Sequence, residues 1–366
     1  MNILYLLDNP QLYGSEIHLF DVLSYMAKEH SIYLVVFRNG PLIQKIKDEI
    51  PQVKICYIPS SYKIKNETLR QLLSFVKDNS IQIIHAHQPK AIFIGALVKI
   101  KLNIPYVVTI HSQPIDHSLM HNGFKKIIVF LFHSIIAFFG QLQADKIIYV
   151  SKYMLGKSFF QKKSILIYNW LRPWMEANKE SLKKIKREKI SFVSCGAVTY
   201  GKGFDILFTF VHKLICAGIE NFEVKIAGGI DEEFLEKQKS CFPQCVFDKI
   251  NFLGYLDNVT TLYKDADFFV LFSRAETFGL VYIEAMSFGL PIIAYDIPVL
   301  HEILFPENCI TSNFDDAILF IKELIRDYQK YSTIYQENKN WVSTNFSYKK
   351  SMERLYLIYK EFINLR

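Results

Sequence analysis

Two successive series of alternating apolar strands and helical stretches constrain the fold of this chain most strongly. In the first series, helical patterns at 16–28, 68–77 and 90–101 lie between short apolar runs. Those runs predict strands at 3–7, 32–37, 54–58, 81–85, 106–110, 146–150 and 165–168. Regular alternation of this kind is typical of a doubly wound α/β domain with a parallel sheet.

The second series follows a break in the pattern. The segment 170–174 and the charged run 179–189 predict an interdomain linker. Five further strands are then predicted, at 191–195, 222–227, 250–253, 267–272 and 291–295, with a final amphipathic helix at 348–365. Because 366 residues exceed one ordinary hydrophobic core, we expect two domains, each with its ligand site at the carboxyl ends of its strands.

Charge and cysteine content narrow the class of protein. Residues 1–170 hold 19 basic and 10 acidic side chains, whereas the whole chain has a net charge of +7, so the excess of positive charge belongs to the front half. This favours an anionic partner such as a membrane surface or a lipid diphosphate, and no aromatic-basic module indicates nucleic acid. The six scattered cysteines are typical of buried, reduced thiols in a cytoplasmic protein.

A loop and helix near residue 280 carry the most specific chemistry. Glu276 and Glu284 are eight positions apart, with Gly279 in the turn between them and a predicted helix at 281–288. At a helical rise the carboxylates lie about 12 Å apart, roughly the span from a ribose to a sugar across a diphosphate. The helix N-terminus offers N–H groups to phosphates, and carboxylates accept hydrogen bonds from sugar hydroxyls. From spacing alone, two solvated glutamates at a helix start are an equal alternative.

The segment from Tyr263 to Pro291 resembles the Glu-x7-Glu signature of the retaining GT-B glycosyltransferases of family four, the glycosyl transferases group 1 class. Further stretches extend the resemblance, in order, over nearly the whole chain. It implies two doubly wound Rossmann-like domains facing a central cleft. Residues 1–170 would form the acceptor side, 171–347 would bind the nucleotide-sugar donor, and 348–366 would form a helix that crosses back to the first domain.

The resemblance also assigns roles in the donor site. Glu276 would hold the sugar hydroxyls and Glu284 the ribose. The turn between the two glutamates would contact sugar or phosphate, partly through backbone N–H groups. The residues of this turn are Thr277, Phe278, Gly279 and Leu280.

The glycine-rich loop around Lys202 resembles the segment that grips the donor diphosphate in this family. Lys202 is flanked by Gly201 and Gly203, and its flexible ammonium can reach two phosphate oxygens. The family usually has an arginine directly after Gly196, where this chain has Ala197, so another basic residue would have to replace it or activity would fall. The strand-end glycines Gly228 and Gly254 are expected to line the nucleotide.

Two strand ends of the first series carry further candidates. Gly14 and Ser15 follow the first strand, where a glycine permits close approach to a ligand and a serine can cap the helix; a simple tight turn is the alternative. His111 ends another strand and resembles the family histidine that lies against the donor sugar. His85 and His87 suggest a metal pair, but without a third ligand we expect them to shape the floor of the cleft.

Two other patterns are interpreted against the metal and membrane alternatives. Asp265-Ala266-Asp267 reads as the Asp-x-Asp metal motif of unrelated transferases, but it abuts a buried strand and GT-B members work without a bound metal. The apolar helix predicted at 124–139, with Lys125 and Lys126 at its start, is interpreted as too short to span a bilayer. We expect it to rest on a membrane surface rather than in the core.

The resemblance therefore implies a retaining, metal-independent glycosyltransferase, either a hexosyl- or an N-acetylhexosaminyltransferase. It would take a nucleotide-diphosphate sugar as donor substrate, need no cofactor, and glycosylate a lipid-linked bacterial surface glycan such as O-antigen or capsule. We expect a cytoplasmic protein in peripheral contact with the inner face of the cell membrane. The alternatives are a catalytically weak nucleotide-sugar-binding relative, suggested by Ala197 and Tyr13, and a GT-B-type nucleotide-sugar epimerase.

Overall fold

A computed structural model describes residues 1–60, 65–113, 123–176, 189–256 and 258–364. The described chain divides into two compact units. Unit 1 comprises Met1–Asn169 and Lys349–Arg366, and unit 2 comprises Trp170–Tyr348. Except for Lys189, the charged run predicted as a linker lies outside the described residues.

Unit 1 is built on one parallel sheet of seven strands, in the order β3-β2-β1-β4-β5-β6-β7. The strands are β1 (Asn2–Leu7), β2 (Ser31–Val36), β3 (Lys54–Tyr57), β4 (Ile83–His87), β5 (Tyr106–Ile110), β6 (Lys146–Tyr149) and β7 (Ser164–Leu166). The helices between them are α1 (Gly14–Met26), α2 (Pro41–Glu49), α3 (Asn66–Asp78), α4 (Pro89–Leu102), α5 (Gly123–Gln143) and α6 (Lys152–Gly156). The strand order reverses at β1 and β4, which creates a crevice at their carboxyl ends.

The central strands of unit 1 are buried on both faces. Residues Ile3 to Leu7 of β1 are fully inaccessible to solvent, as is most of β4 and β5. This explains why these strands appear in the sequence as unbroken apolar runs rather than alternating patterns. Only polar groups that follow the last apolar residue of a strand can reach the crevice.

Unit 2 repeats the same architecture with six parallel strands, in the order β10-β9-β8-β11-β12-β13. The strands are β8 (Ile190–Cys195), β9 (Phe222–Ala227), β10 (Ile250–Gly254), β11 (Phe268–Leu271), β12 (Ile292–Ala294) and β13 (Cys309–Ile310). The helices are α7 (Pro173–Glu176), α8 (Phe204–Cys216), α9 (Glu232–Cys241), α10 (Gln244–Phe247), α11 (Thr260–Lys264), α12 (Leu280–Ser287), α13 (Leu300–Ile303), α14 (Phe314–Arg326) and α15 (Tyr328–Asn345). The prediction of two doubly wound α/β domains is confirmed. The two-residue strand β13 was missed because it is too short for any periodicity.

The last helix, α16 (Tyr348–Asn364), belongs to unit 1 from Lys349 onward. Its residue Tyr359 is completely buried, and its hydroxyl lies 3.1 Å from that of Tyr5 and 2.5 Å from Nδ1 of His85. The hydroxyl of Ser351 donates to the carbonyl of Tyr168 at 3.2 Å. The helix is thus hydrogen-bonded to the centre of the unit 1 sheet.

Helix α5 corrects one expectation. It runs for 21 residues, longer than the predicted 124–139, and by length and composition it suffices to cross a membrane. The interpretation that it is too short to span a bilayer was wrong, because the helix continues past Phe139 through uncharged residues. Its large apolar side chains are mostly exposed: Phe124, Ile127, Ile128, Phe130, Leu131, Phe132, Ile135, Phe138 and Leu142.

The cysteines are free but not all buried. Cys195 is buried, whereas Cys216, Cys241 and Cys245 are exposed. The expectation of buried thiols was therefore wrong for these three. Each lies in or next to an amphipathic helix that presents a polar face to solvent.

Candidate donor site and histidine cluster

Strands β8 and β11 are the reversal point of the unit 2 sheet, and the loops that follow them meet. Lys202 lies in the first loop and Glu276 in the second, and the Nζ of Lys202 is 2.6 Å from Oε1 of Glu276. The Glu276 side chain is only 9% exposed, and that of Lys202 is 36% exposed. The topology thus brings together two residues that sequence reasoning had assigned to the same ligand.

Gly203 explains how the two loops approach so closely. Its φ is +69°, and a Cβ atom there would lie 1.8 Å from the carbonyl oxygen of Phe272. No side chain fits at that distance, and an L-residue is also disfavoured at this φ. The glycine after Lys202 is therefore required for the turn that places the lysine over the end of β11.

Arg274 stabilises the same pair of loops. Its guanidinium donates to both carboxylate oxygens of Asp205, at 2.7 and 2.6 Å, and to the carbonyl of Tyr200 at 2.6 Å. It also stacks on the Tyr200 ring, 3.7 Å from the centroid. These bonds use the guanidinium, so Arg274 fixes the loop around Lys202 and does not stand in for an arginine at position 197.

The turn between the two glutamates ends in helix α12. Gly279 precedes the helix with a φ of +90°, and a Cβ there would approach the ring of Tyr282 to 2.6 Å. Phe278 is buried and packs edge-on against Phe346 at 5.4 Å. The helix therefore starts at Leu280, where its first backbone N–H groups have no carbonyl partner within the helix.

Glu284 lies one turn into α12 in a more enclosed setting than the sequence predicted. It is 7% exposed, and the Tyr263 hydroxyl donates to its Oε2 at 3.3 Å. Burial raises the pKa of the Glu284 carboxyl, opposed by the nearby charge of Arg172 and the Tyr263 hydrogen bond. The Nε of Arg172 lies 3.7 Å from Oε1 of Glu284.

Arg172 is the functional candidate that sequence reasoning missed in unit 2. It was interpreted as part of a linker, but it lies beside a proposed ribose contact. Its Nε is buried and makes no hydrogen bond in the described structure. The only available signal was a single arginine in an otherwise apolar segment.

Three glycines form the carboxyl edge of β8, β9 and β10. Gly228 has a φ of +152°, and a Cβ there would lie 2.0 Å from the carbonyl oxygen of Gly196. The N–H of Gly228 donates to the carbonyl of Gly254 at 2.7 Å. Gly254, with a φ of +67°, has open space where its Cβ would be. No side chain projects from these three glycines, so a planar nucleotide base could approach the backbone at this edge of the sheet.

The Asp-x-Asp motif lies at the opposite edge of the sheet. Asp267 directly precedes β11, and its Oδ2 accepts a hydrogen bond from the backbone N–H of Ser191 at 2.8 Å. It therefore joins the amino ends of β8 and β11, whereas Glu276 follows the carboxyl end of β11. This places the carboxylate of Asp267 in a structural role.

The equivalent edge of unit 1 holds Gly14 and Ser15. They are the first two residues of α1, which begins at Gly14 without a side-chain cap. The hydroxyl of Ser15 instead donates to Oε2 of Glu16 at 2.8 Å. The expectation that Ser15 caps the helix was wrong, because the helix starts one residue earlier. Gln88 connects this turn to β4, since its amide donates to Oε1 of Glu16 at 2.7 Å.

Four histidines converge at the carboxyl edge of unit 1. His111 follows β5, and its Nε2 is 2.9 Å from Nδ1 of His87, the last residue of β4. His18 of α1 packs edge-on against His111 with ring centroids 4.6 Å apart. His85 is hydrogen-bonded to Thr109 at 2.7 Å and to Tyr359.

These rings are kept neutral by their surroundings. Burial lowers the pKa of His85 to about 3, with a smaller contribution from the neighbouring His111, and burial lowers the pKa of His111 to about 4. Burial also lowers the pKa of His18 and His87 well below the usual value. The sequence predicted His111 at this edge and found no third ligand for His85 and His87. In the structure His87 groups instead with His111 and with His18, whose position on a buried helix face gave no signal.

Comparison with known proteins agrees with the architecture of both units. A family model described as Glycosyltransferase Family 4 matches residues 13–157, and one described as Glycosyl transferases group 1 matches residues 175–341. Between them they cover most of unit 1 and most of unit 2. The Lys202 loop, Glu276 and Glu284 lie in the second match, and Gly14 and His111 lie in the first.

Two curated relatives match this chain along most of their length. An uncharacterized glycosyltransferase of Methanocaldococcus jannaschii, MJ1178, is 28% identical over 93% of this chain and 90% of its own length. The O-antigen biosynthesis glycosyltransferase WclY of Escherichia coli is 24% identical over 92% of this chain and 94% of its own.

A solved structure shares the fold at lower identity. Anabaena HepE, crystallised with UDP and glucose, superposes with a TM-score of 0.81 at 17% identity over 99% of this chain and 100% of its own. The chain therefore belongs to family four of the glycosyltransferases, the glycosyl transferases group 1 class, and has the GT-B fold.

Proposed function

We propose that this protein is a retaining, metal-independent glycosyltransferase that moves a sugar from a nucleotide-diphosphate sugar to a lipid-linked bacterial surface glycan. The observation that carries the proposal is the contact between Lys202 and Glu276 at the reversal point of the unit 2 sheet. The Lys202 ammonium can bind the departing diphosphate, and the neighbouring Glu276 carboxylate can accept hydrogen bonds from hydroxyls of the transferred sugar. The diphosphate and the sugar are the two parts of the donor that separate in the reaction. The relative WclY, an O-antigen biosynthesis glycosyltransferase, supports the acceptor class.

The donor would lie along the carboxyl edge of the unit 2 sheet. Glu284 would accept hydrogen bonds from the ribose and Glu276 from hydroxyls of the transferred sugar, which would be a hexose or an N-acetylhexosamine. The N–H groups at the start of α12 would face the diphosphate. UDP is our first choice of nucleotide, because HepE was crystallised with UDP and shares this fold.

The departing diphosphate needs positive charge, and the chain supplies it without a metal in this proposal. Lys202 would move from Glu276 to the phosphate that leaves. Arg172 would provide the second cation in place of the arginine replaced by Ala197, because it lies beside Glu284 and hence next to the proposed ribose. Arg172→Gln should weaken UDP binding by about tenfold, since a charged hydrogen bond contributes about 1.5–3 kcal/mol, whereas uridine binding should be retained.

Retention would follow from attack on the same face of the sugar as the leaving phosphate. The C1–O bond to the phosphate breaks, the acceptor oxygen bonds to C1 on that face, and the phosphate oxygen takes the acceptor proton. Glu276 is paired with Lys202 and is therefore assigned to holding the sugar rather than to forming a covalent bond to it. His111 is proposed to contact the transferred sugar.

Membrane contact is proposed for helix α5. Its exposed apolar side chains, together with the positive charge of residues 1–170, suit an anionic lipid surface that carries a lipid-linked acceptor. The test is flotation with vesicles of phosphatidylglycerol and phosphatidylcholine. Ile135→Glu should reduce binding, whereas Leu319→Glu, at another well-exposed apolar position in unit 2, should not.

The outcomes of the vesicle experiment are distinct. Full recovery of the protein away from vesicles at low salt would contradict membrane contact. A dimer in solution that Ile135→Glu dissociates would assign the face to a second copy instead.

The function itself is tested with a panel of nucleotide-sugars and EDTA-treated protein. A matched donor should raise the melting temperature, because a ligand at 100 times its dissociation constant stabilises by about 2.7 kcal/mol. Transfer to a lipid-linked glycan acceptor should follow. Donor binding without transfer would favour the weak-binding relative, and a free sugar isomer without acceptor would favour the epimerase.

A further inference from the structure

Three histidines of unit 1 form a compact set of metal-ligand atoms. His18, His87 and His111 each offer one ring nitrogen, and these three atoms lie within 4.8 Å of one another. We propose that they form a binding site for a transition-metal ion of the zinc type, and that an ion bound there inhibits glycosyl transfer. The inhibitory part rests on the proposed function, whereas the binding part does not.

The distances suit a tetrahedral ion after small side-chain movements. A zinc ion takes ring nitrogens at about 2.0–2.1 Å, which places two such nitrogens about 3.4 Å apart. Nδ1 of His87 and Nε2 of His111 are 2.9 Å apart, so the ion would replace the proton that they share and open the pair slightly. His18, already in edge contact with His111, supplies the third ligand.

The surroundings favour a nitrogen-binding ion over magnesium or calcium. The set contains no carboxylate, and imidazole ligands select zinc, copper or nickel. His87 is completely buried, and its Nε2 makes no hydrogen bond within the described structure, so this ring is not fully used by the protein itself. His111 is only half-buried, which gives an ion a route from solvent.

Inhibition follows from the role proposed for His111. In the metal-free protein, Nε2 of His111 can exchange its hydrogen bond with His87 for one to a sugar hydroxyl. A bound ion would occupy that nitrogen and fix the orientation of the ring, so His111 could no longer turn Nε2 toward the donor sugar. Three protein ligands leave a fourth position for water, as in open zinc sites. The bound ion would thus inhibit transfer, and the transfer reaction itself would need no metal.

Binding is tested with the full-length chain by titration with Zn²⁺, and with Co²⁺ for its visible spectrum. Wild type should bind one ion with a tetrahedral cobalt spectrum. His18→Phe, which keeps a flat ring without a ligand atom, should bind at least about tenfold more weakly, and His18→Gln serves if that variant does not fold. His301→Gln removes an exposed histidine bonded to Asp296 and should bind as wild type does.

Equal zinc affinity of wild type and His18→Phe, or loss of binding in His301→Gln, would overturn the site. The second arm measures transfer. One equivalent of Zn²⁺ should suppress wild-type transfer, EDTA should restore it, and His18→Phe should transfer at the same rate with and without Zn²⁺. Undiminished transfer by zinc-loaded wild type would overturn the inhibition. Absence of transfer from all metal-free proteins would instead refute the proposed function, while the titration still decides the site.

Discussion

The ion pair between Lys202 and Glu276 should compete with donor binding, because the donor diphosphate has to break the pair to reach Lys202. In the structure, Nζ of Lys202 is 2.6 Å from Oε1 of Glu276. If Lys202 is the group that grips the diphosphate, UDP must first draw it away from Glu276. The substitution Glu276→Gln therefore has two opposite effects: UDP alone should bind more tightly, and sugar transfer should be lost.

The magnitude follows from the exposure of the two side chains. An exposed ion pair contributes about 0.2–1 kcal/mol, and a hydrogen bond to a charged group about 1.5–3 kcal/mol. Lys202 is 36% exposed and Glu276 only 9%, so the pair lies between these cases and contributes about 1 kcal/mol. Glutamine keeps the shape but loses that energy, which converts to about fivefold tighter UDP binding. Transfer should fall by about two orders of magnitude or more, because a contact to the reacting sugar is removed.

Calorimetric titration with UDP and a transfer assay measure the two effects on the same protein. Glu223→Gln is the matched control, since Glu223 forms a 2.7 Å pair with Lys189 in the same unit and should change neither value. Unchanged transfer in Glu276→Gln would refute the site. Weaker UDP binding in that variant would refute the competition between Glu276 and UDP for Lys202.

Three further predictions concern stability. Gly203→Ala should lower the stability of the folded protein by more than the roughly 1–2 kcal/mol cost of a left-handed backbone, because its Cβ would also clash with a carbonyl oxygen. Gly218→Ala is the control, since Gly218 has a φ of +74° and open space around its Cβ position, and it should show the backbone cost alone in thermal melts. Equal losses of stability in the two variants would contradict the account. Asn338→Ala should lower the free energy of unfolding by about 2–4 kcal/mol, because the buried amide of Asn308 and the carbonyl of Leu290 lose hydrogen bonds of 2.7 and 2.8 Å. In the same urea titrations, Asn345→Ala at an exposed position should leave the free energy of unfolding nearly unchanged. The pKa of His85 is about 3 in the folded protein and about 6.5 in the unfolded chain, so the unfolded state binds the extra proton between these values. Acidification from pH 7 to 5 should therefore remove about 2 kcal/mol of stability through His85, in addition to the losses through the other buried histidines, and His85→Gln should lose about 2 kcal/mol less than wild type over this range. Equal pH dependence of the two proteins in urea titrations would contradict the assignment.

The placement of Lys202 and Glu276 was predictable because it needs only two rules. Strand and helix periodicity locates the loops, and the doubly wound topology places the loops after β8 and β11 together. The close contact through Gly203 was not predictable, since a sequence does not show which carbonyl a glycine will approach.

The neighbours Arg172 and His18 could not be found in this way. Each is brought to its site by packing between elements distant in sequence: Arg172 against Glu284 of α12, and His18 of α1 against His111 after β5. Local pattern assigned one to a linker and gave no role to the other. The length of α5 was underestimated for a different reason, because uncharged polar residues after Phe139 continue the helix as readily as apolar ones.

The most direct test of the central claim is the anomeric configuration of the product formed from an α-linked UDP-sugar, followed by proton NMR in the presence of EDTA. The account predicts an α-linked product from wild-type protein and none from Glu276→Gln. A β-linked product would contradict retention, and a requirement for added metal would contradict metal independence. Failure of every UDP-sugar to bind or react would contradict the choice of UDP, and failure of every nucleotide-sugar in the panel would contradict the donor assignment at Lys202, Glu276 and Glu284.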